Sequence, residues 1–398
     1  MSIGKEITRR EFLSASGIYA AGMALAPYVR SQSGPRSKEL ILYVGTYTSS
    51  SKSEGIYVYG FDLETGMLTR RQTVKDVVDP SFLAIDRNWK YLYAVNELVE
   101  YEGRSSGAVS AFAIKRKTGE LTFLNSRPSL GAAPCHITTS KNGKFVLVAN
   151  YVGGNVSVFP VAPNGSLGPA VDMVQHTGSG PNKDRQMAPH AHSINLDRRN
   201  RYAFAADLGI DKVMIYTFDD KKGKLKPNAG QPFFQTKAGA GPRHFAFHPN
   251  GKFAFVINEL DSTVTSLDYD SKIGKLNEIQ TVSTLAPDFK GVSACADIHV
   301  SPSGRFLYGS NRGEDSIAVF RIDENSGKIE HIENTPTGGK RPRNFVIDPT
   351  GNFLLAANQD TGNVVVFRID SRSGKLTKSG NSIEIPAPVC LKLVPAND

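Results

Sequence analysis

The sequence predicts an all-β protein, a seven-bladed β-propeller of four-stranded blades. Three observations support this prediction: one unit recurs along the chain, most copies share a Gly-containing turn before their last strand, and the two chain ends carry complementary parts of one unit. A repeat spacing of about 40–55 residues is typical of propeller blades. Each blade is a small antiparallel sheet, and closing the ring protects the strand edges.

The repeated unit consists of an apolar strand, a turn such as HPNGKF or SPSGRF, a second strand that ends in Asn or Asp, and two further strands. Its copies begin at Pro80, Pro134, Pro189, Pro242, Cys295 and Pro342. The turn before the fourth strand reads ETGMLT, KTGELT, KKGKLK, KIGKLN, NSGKIE or RSGKLT. Strands joined by such turns form hairpins, so the pattern predicts successive antiparallel sheets.

The two chain ends complete one blade. The segments ELILYVGTYTS and GIYVYGFDLETGMLT supply only a second, third and fourth strand, whereas PAPVCLKLVP near the C-terminus matches a first strand. Placing residues 389–393 innermost in the blade that starts at Glu39 closes a ring of seven. We therefore assign residues 39–398 to the propeller, and residues 1–38 to a signal segment and linker.

The N-terminal segment has the pattern of an export signal. Arg9 and Arg10 in TRREFLSASG resemble the twin-arginine export motif of bacteria. The apolar run from Ile18 to Val29 is too short and too rich in small residues for a stable membrane span. We expect the protein to be periplasmic or otherwise exported, with the twin-arginine machinery as a partner. A membrane partner is expected only if Pro27, which follows the small residues of ALA, blocks cleavage and the segment is retained as an anchor.

Composition excludes several other classes. Apolar residues make up 40% of the chain and charged residues 21%, as in an ordinary globular protein. The net charge is +9, but Lys and Arg are scattered in turns beside acidic residues, so we expect a solvated surface and no nucleic-acid partner. Three widely separated cysteines form no CxxC metal motif and no disulfide framework.

Aligning the units reveals two columns of polar residues. At the start of the innermost strand, where apolar residues are expected, the pairs are Ser81–Phe82, Cys135–His136, His192–Ser193, Arg243–His244, Ala296–Asp297 and Arg343–Asn344. The second strand ends in Asn or Asp and is followed by a variable residue; these variable residues are Glu97, Tyr151, Leu208, Glu259, Arg312 and Gln359. An antiparallel hairpin places both columns at one face of the propeller, around the central channel.

The two parts of the second column have different expected roles. The recurrent Asn or Asp is interpreted as structural, because it can satisfy backbone groups where the strand ends. The variable positions carry more information about function. Glu259, Arg312, Arg243 and His192 come from three adjoining blades and converge on one mouth of the channel, which predicts a functional site rather than isolated ion pairs.

Four segments resemble the propeller lactonase family, which includes bacterial 6-phosphogluconolactonases and fungal carboxy-muconate lactonizing enzymes. They are PHAHSINLD, GAGPRHFAFHPNGKFAFVINELDSTV, ADIHVSPSGRFLYGSNRGEDSIAVF and RPRNFVIDPTGNFLLAANQ. The similarity covers residues 39–394. The resemblance implies that His192, Arg243, Glu259 and Arg312 occupy catalytic or substrate-binding positions, and that Arg343 is a further family arginine.

Lactone hydrolysis suits these residue types. It needs a base to deprotonate water and positive donors where the oxyanion develops. Glu259 or His192 is the expected base, and Arg243 and Arg312 are expected to hold the carbonyl oxygen and an anionic tail. The expected substrate-binding residues are His136, His244, Arg343, Asn150 and Asn258. GxSxG and Walker motifs are absent from the sequence, so water is the expected nucleophile.

No cofactor is expected. In unrelated propeller lactonases a divalent cation is held by Glu and Asn side chains, and Glu259 with Asn150 and Asn258 could do the same. The charges of Arg243 and Arg312 at the same mouth argue against a metal.

The substrate class stays open at this point. The export signal departs from the cytoplasmic setting of a 6-phosphogluconolactonase, so the first hypothesis is hydrolysis of a sugar lactone, with or without a phosphate group, in the periplasm. Two alternatives come from other functional classes. One is a non-catalytic propeller that binds a ligand or protein, and the other is a muconate-type cycloisomerase that uses the arginines to bind carboxylates.

Overall fold

The computed structural model describes residues 38–396, which form seven antiparallel sheets and one short 3₁₀-helix, Leu208–Ile210. The predicted signal segment, residues 1–38, lies outside the described residues except for Lys38. Within the described range, no helix is long and apolar enough to cross a membrane.

The strands of each sheet follow one another from the centre of the ring outward. The first four sheets are β29 (Pro388–Pro395), β1 (Glu39–Thr46), β2 (Ile56–Asp62), β3 (Leu68–Val74); β4 (Phe82–Ile85), β5 (Tyr91–Asn96), β6 (Ala108–Ile114), β7 (Leu121–Pro128); β8 (Pro134–Thr139), β9 (Phe145–Asn150), β10 (Asn155–Pro160), β11 (Asp172–Gln175); and β12 (Ala191–Leu196), β13 (Tyr202–Asp207), β14 (Lys212–Asp219), β15 (Lys224–Pro227), β16 (Phe233–Gln235). The last three are β17 (Pro242–Phe247), β18 (Phe253–Asn258), β19 (Thr263–Asp270), β20 (Lys275–Ser283); β21 (Ala294–Val300), β22 (Phe306–Arg312), β23 (Ser316–Ile322), β24 (Ile329–Pro336); and β25 (Pro342–Ile347), β26 (Phe353–Asn358), β27 (Asn363–Ile369), β28 (Leu376–Glu384).

The predicted closure of the ring is confirmed. β29 pairs antiparallel with β1, with Leu393 opposite Leu42 and Leu391 opposite Val44. The innermost strands of neighbouring sheets contact one another in an unbroken cycle from β29 through β4, β8, β12, β17, β21 and β25 back to β29. The first sheet thus takes its inner strand from one chain end and its other three strands from the other.

Two details differ from the predicted unit. The innermost strands of the second and fourth sheets start at Phe82 and Ala191, each two residues after the proline that opens its unit. In the fourth sheet the outer strand is divided, because β15 and β16 both pair with β14. The segment between them contains Pro232, which lacks an N–H for a continuous ladder.

Neighbouring sheets pack through apolar residues on both of their faces. All six residues of β18, FAFVIN, are buried, which is the pattern expected for a strand sandwiched between two layers. Aromatic pairs join successive sheets: the ring centroids of Phe61 and Phe353 lie 5.4 Å apart, and those of Phe204 and Phe245 lie 5.3 Å apart. Each such fully buried side chain contributes about 1.5–3 kcal/mol of burial free energy.

The glycine of the turn before the fourth strand docks each sheet onto the previous one. A β-carbon built on Gly327 would lie 2.5 Å from Cδ1 of Phe253, which begins the second strand of the preceding sheet. Equivalent contacts of 2.1–2.9 Å recur at all seven boundaries. The pairs are Gly66–Phe353, Gly119–Ile41, Gly165–Tyr91, Gly223–Phe145, Gly274–Tyr202, Gly327–Phe253 and Gly374–Phe306. This contact explains why glycine recurs at that position.

We expect Gly327→Ala to destabilise the protein more than Gly143→Ala. Both glycines have positive φ, 70° and 68°, so each substitution costs about 1–2 kcal/mol of backbone strain. Only Gly327 also faces a ring, because nothing lies within 4 Å of a β-carbon on Gly143. Crowding against Phe253 should add about 1–3 kcal/mol, measured as a difference in the free energy of unfolding in denaturant. Equal losses for the two variants would contradict the docking role.

A β-bulge recurs near the start of the innermost strand in six of the seven sheets. In the fifth sheet Pro242 pairs with Asn258 and His244 with Ile257, so Arg243 is the extra residue. His192 and Arg343 hold the same position in their sheets. A bulge re-aims the side chain of its extra residue, and bulges often lie beside active sites. In this propeller they determine which side chains approach the mouth of the channel.

Candidate active site

The four predicted catalytic residues meet at one mouth of the channel. Arg243 is the bulged residue of β17, Glu259 follows the end of β18, Arg312 ends β22, and His192 is the bulged residue of β12. Arg243 Nε lies 2.9 Å and Arg312 Nη2 2.8 Å from Glu259 Oε2, and His192 Nε2 lies 4.0 Å from the same oxygen. Three adjoining sheets therefore build one cluster, which we call the Glu259 cluster.

A third arginine completes the Glu259 cluster. Arg185 Nη2 lies 2.7 Å from Glu259 Oε1, and its side chain is 40% exposed, whereas the other members of the cluster are buried. Burial alone would raise the pKa of Glu259, but the charges of Arg312, Arg243 and Arg185 outweigh it and lower the pKa to about 2. Glu259 is therefore ionised at neutral pH and is a weak base, because its oxygens already accept from three guanidinium groups.

His192 has the protonation state that a general base needs. Burial, together with the positive charge of Arg243, holds its pKa well below the usual 6.5, so the ring is neutral at pH 7. Its Nδ1 lies 3.6 Å from Sγ of Cys135, a thiol that can itself donate to the carbonyl oxygens of Ala191 and His192. When the thiol hydrogen is donated to one of these carbonyls, Sγ accepts from Nδ1–H, and Nε2 is then the acceptor on the side of Glu259.

The two other histidines predicted at the site, His136 and His244, lie on the innermost strands β8 and β17. His244 has both ring nitrogens occupied, Nε2 by Arg243 Nη1 at 3.1 Å and Nδ1 by Asp297 Oδ1 at 2.7 Å. His136 accepts a hydrogen bond from the Ile194 N–H at Nδ1, and its ring packs 4.4 Å from that of Phe82. These contacts give His244 a place in a buried hydrogen-bond network rather than a free face toward a substrate.

Arg343 differs from the other arginines of the mouth. It is half-buried and lies over the ring of Tyr47, 5.4 Å from the ring centroid. No carboxylate of the described residues lies within salt-bridge distance of its guanidinium, whereas Arg185, Arg243 and Arg312 share Glu259. The hydroxyl of Tyr47 donates to Glu97 Oε2 at 3.0 Å, and burial raises the pKa of Glu97 despite the nearby charge of Arg343.

The asparagines of the second column hold the ends of their strands. Asn150 Nδ2 donates to the carbonyl of Ser129 at 3.2 Å and to Asn155 Oδ1 at 2.6 Å. Asn258 Nδ2 donates to the hydroxyls of Thr263 and Thr265 at 2.9 and 3.1 Å. These bonds fit the structural interpretation of the recurrent position, and none of them joins the Glu259 cluster.

Sequence reasoning missed several residues of the mouth. Tyr47 follows the end of β1 as Glu259 follows the end of β18, so it is the seventh member of the variable column, hidden because its blade is split between the chain ends. Tyr151 and Glu97 stand in that column but had no predicted role. Arg185 comes from the loop between β11 and β12, which is longer than the equivalent loops of the other units, so the repeat pattern offered no aligned position for it. In the described part of the chain, no group of three or more His, Cys, Asp or Glu side chains is arranged to hold a metal ion.

Comparison with known proteins identifies the family. Residues 41–393 match the family described as "Lactonase, 7-bladed beta-propeller". A 6-phosphogluconolactonase of Bacillus subtilis is 42% identical over 352 residues, which cover 88% of this chain and 97% of that protein. A 6-phosphogluconolactonase of Formosa agariphila is 37% identical over 309 residues, 77% of this chain and 86% of that one. The periplasmic gluconolactonase of Pseudomonas aeruginosa superposes with a TM-score of 0.84 at 32% identity, covering 90% of this chain and all of that structure.

These matches confirm the family resemblance seen in the sequence motifs. They span nearly the whole propeller, including every residue of the Glu259 cluster. The chain belongs to the seven-bladed β-propeller lactonases, and it is a hydrolase of cyclic esters.

Proposed function

We propose that this protein hydrolyses 6-phosphogluconolactone, with His192 as general base and the Glu259 cluster as the source of electrostatic stabilisation. The observation that carries the proposal is the convergence at the mouth: His192 Nε2 lies 4.0 Å from the Glu259 carboxylate, which orients three guanidinium groups. The names of the Bacillus and Formosa relatives support the substrate. The charge of the mouth supports it as well, because four arginines gather there around the carboxylates of Glu259 and Glu97.

The mechanism follows from the donors and acceptors of the cluster. His192 Nε2 takes a proton from water, and the hydroxide oxygen attacks the lactone carbonyl carbon. Arg243 and Arg312 stabilise the oxyanion of the tetrahedral intermediate. When the intermediate collapses, the ring C–O bond breaks, and the leaving alkoxide takes the proton from the His192 imidazolium. The products are a carboxylic acid and the freed hydroxyl group, and the acid releases its proton to solvent at neutral pH to become a carboxylate.

Glu259 has an organising role in this proposal. Its two oxygens hold Arg185, Arg243 and Arg312 in fixed positions before the substrate arrives, so little reorganisation is needed as negative charge develops. The carboxylate also compensates charges that would repel one another in a buried site.

Arg343 is the proposed receptor of the phosphate. Its guanidinium has no carboxylate partner within salt-bridge distance among the described residues, and the Tyr47 ring supports it from one side. A planar guanidinium binds phosphate through paired hydrogen bonds.

We expect Arg343→Gln to weaken turnover of the phosphorylated lactone selectively. Loss of a charge-assisted contact should lower kcat/KM for 6-phosphogluconolactone by about 10–100-fold and leave glucono-δ-lactone almost unchanged. Rates above spontaneous hydrolysis on the two lactones provide the measurement. Arg341→Gln is the matched control, because Arg341 is exposed and its nearest carboxylate, Asp360, is 3.6 Å away. Equal losses on both lactones would contradict the phosphate role.

A second candidate substrate is an aldonolactone without phosphate, hydrolysed outside the cytoplasm. The twin-arginine pattern of residues 1–38 and the similarity to a periplasmic gluconolactonase favour it. The same assay separates the candidates: a wild-type preference for glucono-δ-lactone supports the exported enzyme, and a strong preference for the phosphorylated lactone supports the first proposal. Turnover of carboxymuconate with neither lactone accelerated would replace both with the cycloisomerase hypothesis.

A further inference from the structure

A buried network runs from the Glu259 cluster into the channel through Asp297. The Asp297 carboxylate is held by two imidazoles: Oδ1 lies 2.7 Å from His244 Nδ1, and Oδ2 lies 2.9 Å from His299 Nε2. The side chain of Asn344 also donates to Oδ2, and the N–H of Ile298 donates to Oδ1 at 3.0 Å. None of these residues except His244 had a predicted role at the site, yet they surround a fully buried charge.

The contacts fix the tautomer of His244. A guanidinium group has only donors, so His244 Nε2, at 3.1 Å from Arg243 Nη1, must be the acceptor of that hydrogen bond. A neutral imidazole with an unprotonated Nε2 carries its hydrogen on Nδ1, and that hydrogen points at Asp297 Oδ1. Burial and the charge of Arg243 lower the pKa of His244 to about 4, which agrees with a neutral ring.

The same contacts fix the orientation of Arg243. Its Nε donates to Glu259 at 2.9 Å, and its Nη1 donates to His244 and to the carbonyl of Ala296. Its remaining nitrogen, Nη2, makes no hydrogen bond to another residue of the described chain. Locking two nitrogens of a planar guanidinium sets the direction of the third, which is then the donor available to a substrate oxygen.

We propose that Asp297 is a positioning residue for lactone hydrolysis. It holds His244 in the Nδ1–H tautomer, so His244 Nε2 accepts a hydrogen bond from Arg243. That hydrogen bond fixes the Arg243 guanidinium with its Nη2 open to the substrate. The proposal rests on the function proposed above for Arg243. Asp297 itself touches no reacting atom, and it acts only by holding the hydrogen on Nδ1 of His244. Partners of this kind orient a functional side chain by selecting its tautomer.

Asp297→Asn tests the proposal. The asparagine has one carbonyl oxygen to accept from two imidazole donors. Its amide NH₂ group donates to His244 Nδ1 and thereby favours the Nε2–H tautomer, in which Nε2 carries a hydrogen toward the Arg243 Nη1 donor and cannot accept from it. We expect kcat to fall by about 10²-fold with a much smaller change in KM. His299→Gln is the matched control, because glutamine still donates to Oδ2 and leaves the His244 contact intact; its kcat should change by less than about threefold.

A double variant distinguishes positioning from a loss of packing. In a His244→Gln background the amide oxygen accepts from Arg243 whatever residue stands at 297, so adding Asp297→Asn should cost less than about threefold. Full additivity of the two effects would overturn the proposal. If Asp297→Asn does not fold, His244→Gln and His244→Phe replace it, since only glutamine can accept from Arg243; equal kcat for these two would likewise overturn the proposal.

The tautomer can be measured without any substrate. Nitrogen-15 NMR of the His244 ring should show hydrogen on Nδ1 in the wild-type protein. An Nε2–H ring would disprove the positioning role even if the lactonase assay succeeds. An Nδ1–H ring in a protein with no activity on either lactone would leave the network intact and contradict the proposed substrate instead.

Discussion

Glu259→Gln is expected to reduce kcat/KM by about 10²–10³-fold and also to destabilise the fold. Glutamine has one acceptor oxygen in place of two carboxylate oxygens, and its amide nitrogen would face a guanidinium donor. Three buried or half-buried cations would then lose their anion, and removing one partner of a buried ion pair costs about 3–5 kcal/mol. Steady-state rates on 6-phosphogluconolactone and denaturant unfolding of the same preparation give the two quantities.

An added anion provides a sharper test of this explanation. Because the variant leaves excess positive charge at the mouth, inorganic phosphate should stabilise it against thermal unfolding more than it stabilises the wild type. Asp360→Asn is the control, since it removes an exposed carboxylate 3.6 Å from Arg341 and should change stability by less than about 1 kcal/mol. A fully stable, active Glu259→Gln protein would refute the organising role.

His192→Gln is expected to lower kcat by about 10²–10⁴-fold, the range attributed to a general base. The dependence of wild-type kcat/KM on pH provides a second test of His192 as the base. The base must be unprotonated, and the pKa of His192 lies well below 6.5, so kcat/KM should stay level as the pH falls through the usual imidazole range and decline only well below it. That acidic decline should be absent from the residual activity of the variant.

The profile also distinguishes the two candidate bases. A Glu259 base with a pKa of about 2 would show no acidic decline above pH 4, so a flat wild-type profile combined with an active His192→Gln variant would reverse the assignment.

Histidines buried in neutral form also make the fold less stable in acid, because unfolded imidazoles bind protons near pH 6.5. Circular dichroism at each pH confirms that the rates refer to folded protein. His331→Gln, on the outer strand β24, is the matched control for His192→Gln in the rate measurements.

Much of the site could be predicted because the repeat provides an internal alignment. Residues that recur, such as Asn150 and Asn258, bond to groups near the ends of their strands, and residues that break the repeat, such as Glu259 and Arg312, gather at the mouth. Arg185 could not be found in this way, because its loop is longer than the equivalent loops and offers no aligned position.

The sequence predicted the positions of the site residues better than their chemical roles. Glu259 and His192 were equal candidates for the base, since a sequence does not report which charges surround a carboxylate. The three guanidinium groups within hydrogen-bond distance of Glu259 are the reason that we propose His192 as the base. Likewise, His244 was predicted to bind substrate, and only its contacts with Arg243 and Asp297 show that both of its ring nitrogens are occupied.

The sequence by itself determined the seven-bladed propeller and the mouth at which its polar columns converge, because strand period, turn residues and repeat spacing are local properties of the chain. Tertiary structure alone decided which polar groups pair. The bulges that turn His192, Arg243 and Arg343 toward the channel depend on register against the second strand, and protonation states depend on charges contributed by distant blades. Both are set by proximity in space, which a repeat pattern does not encode.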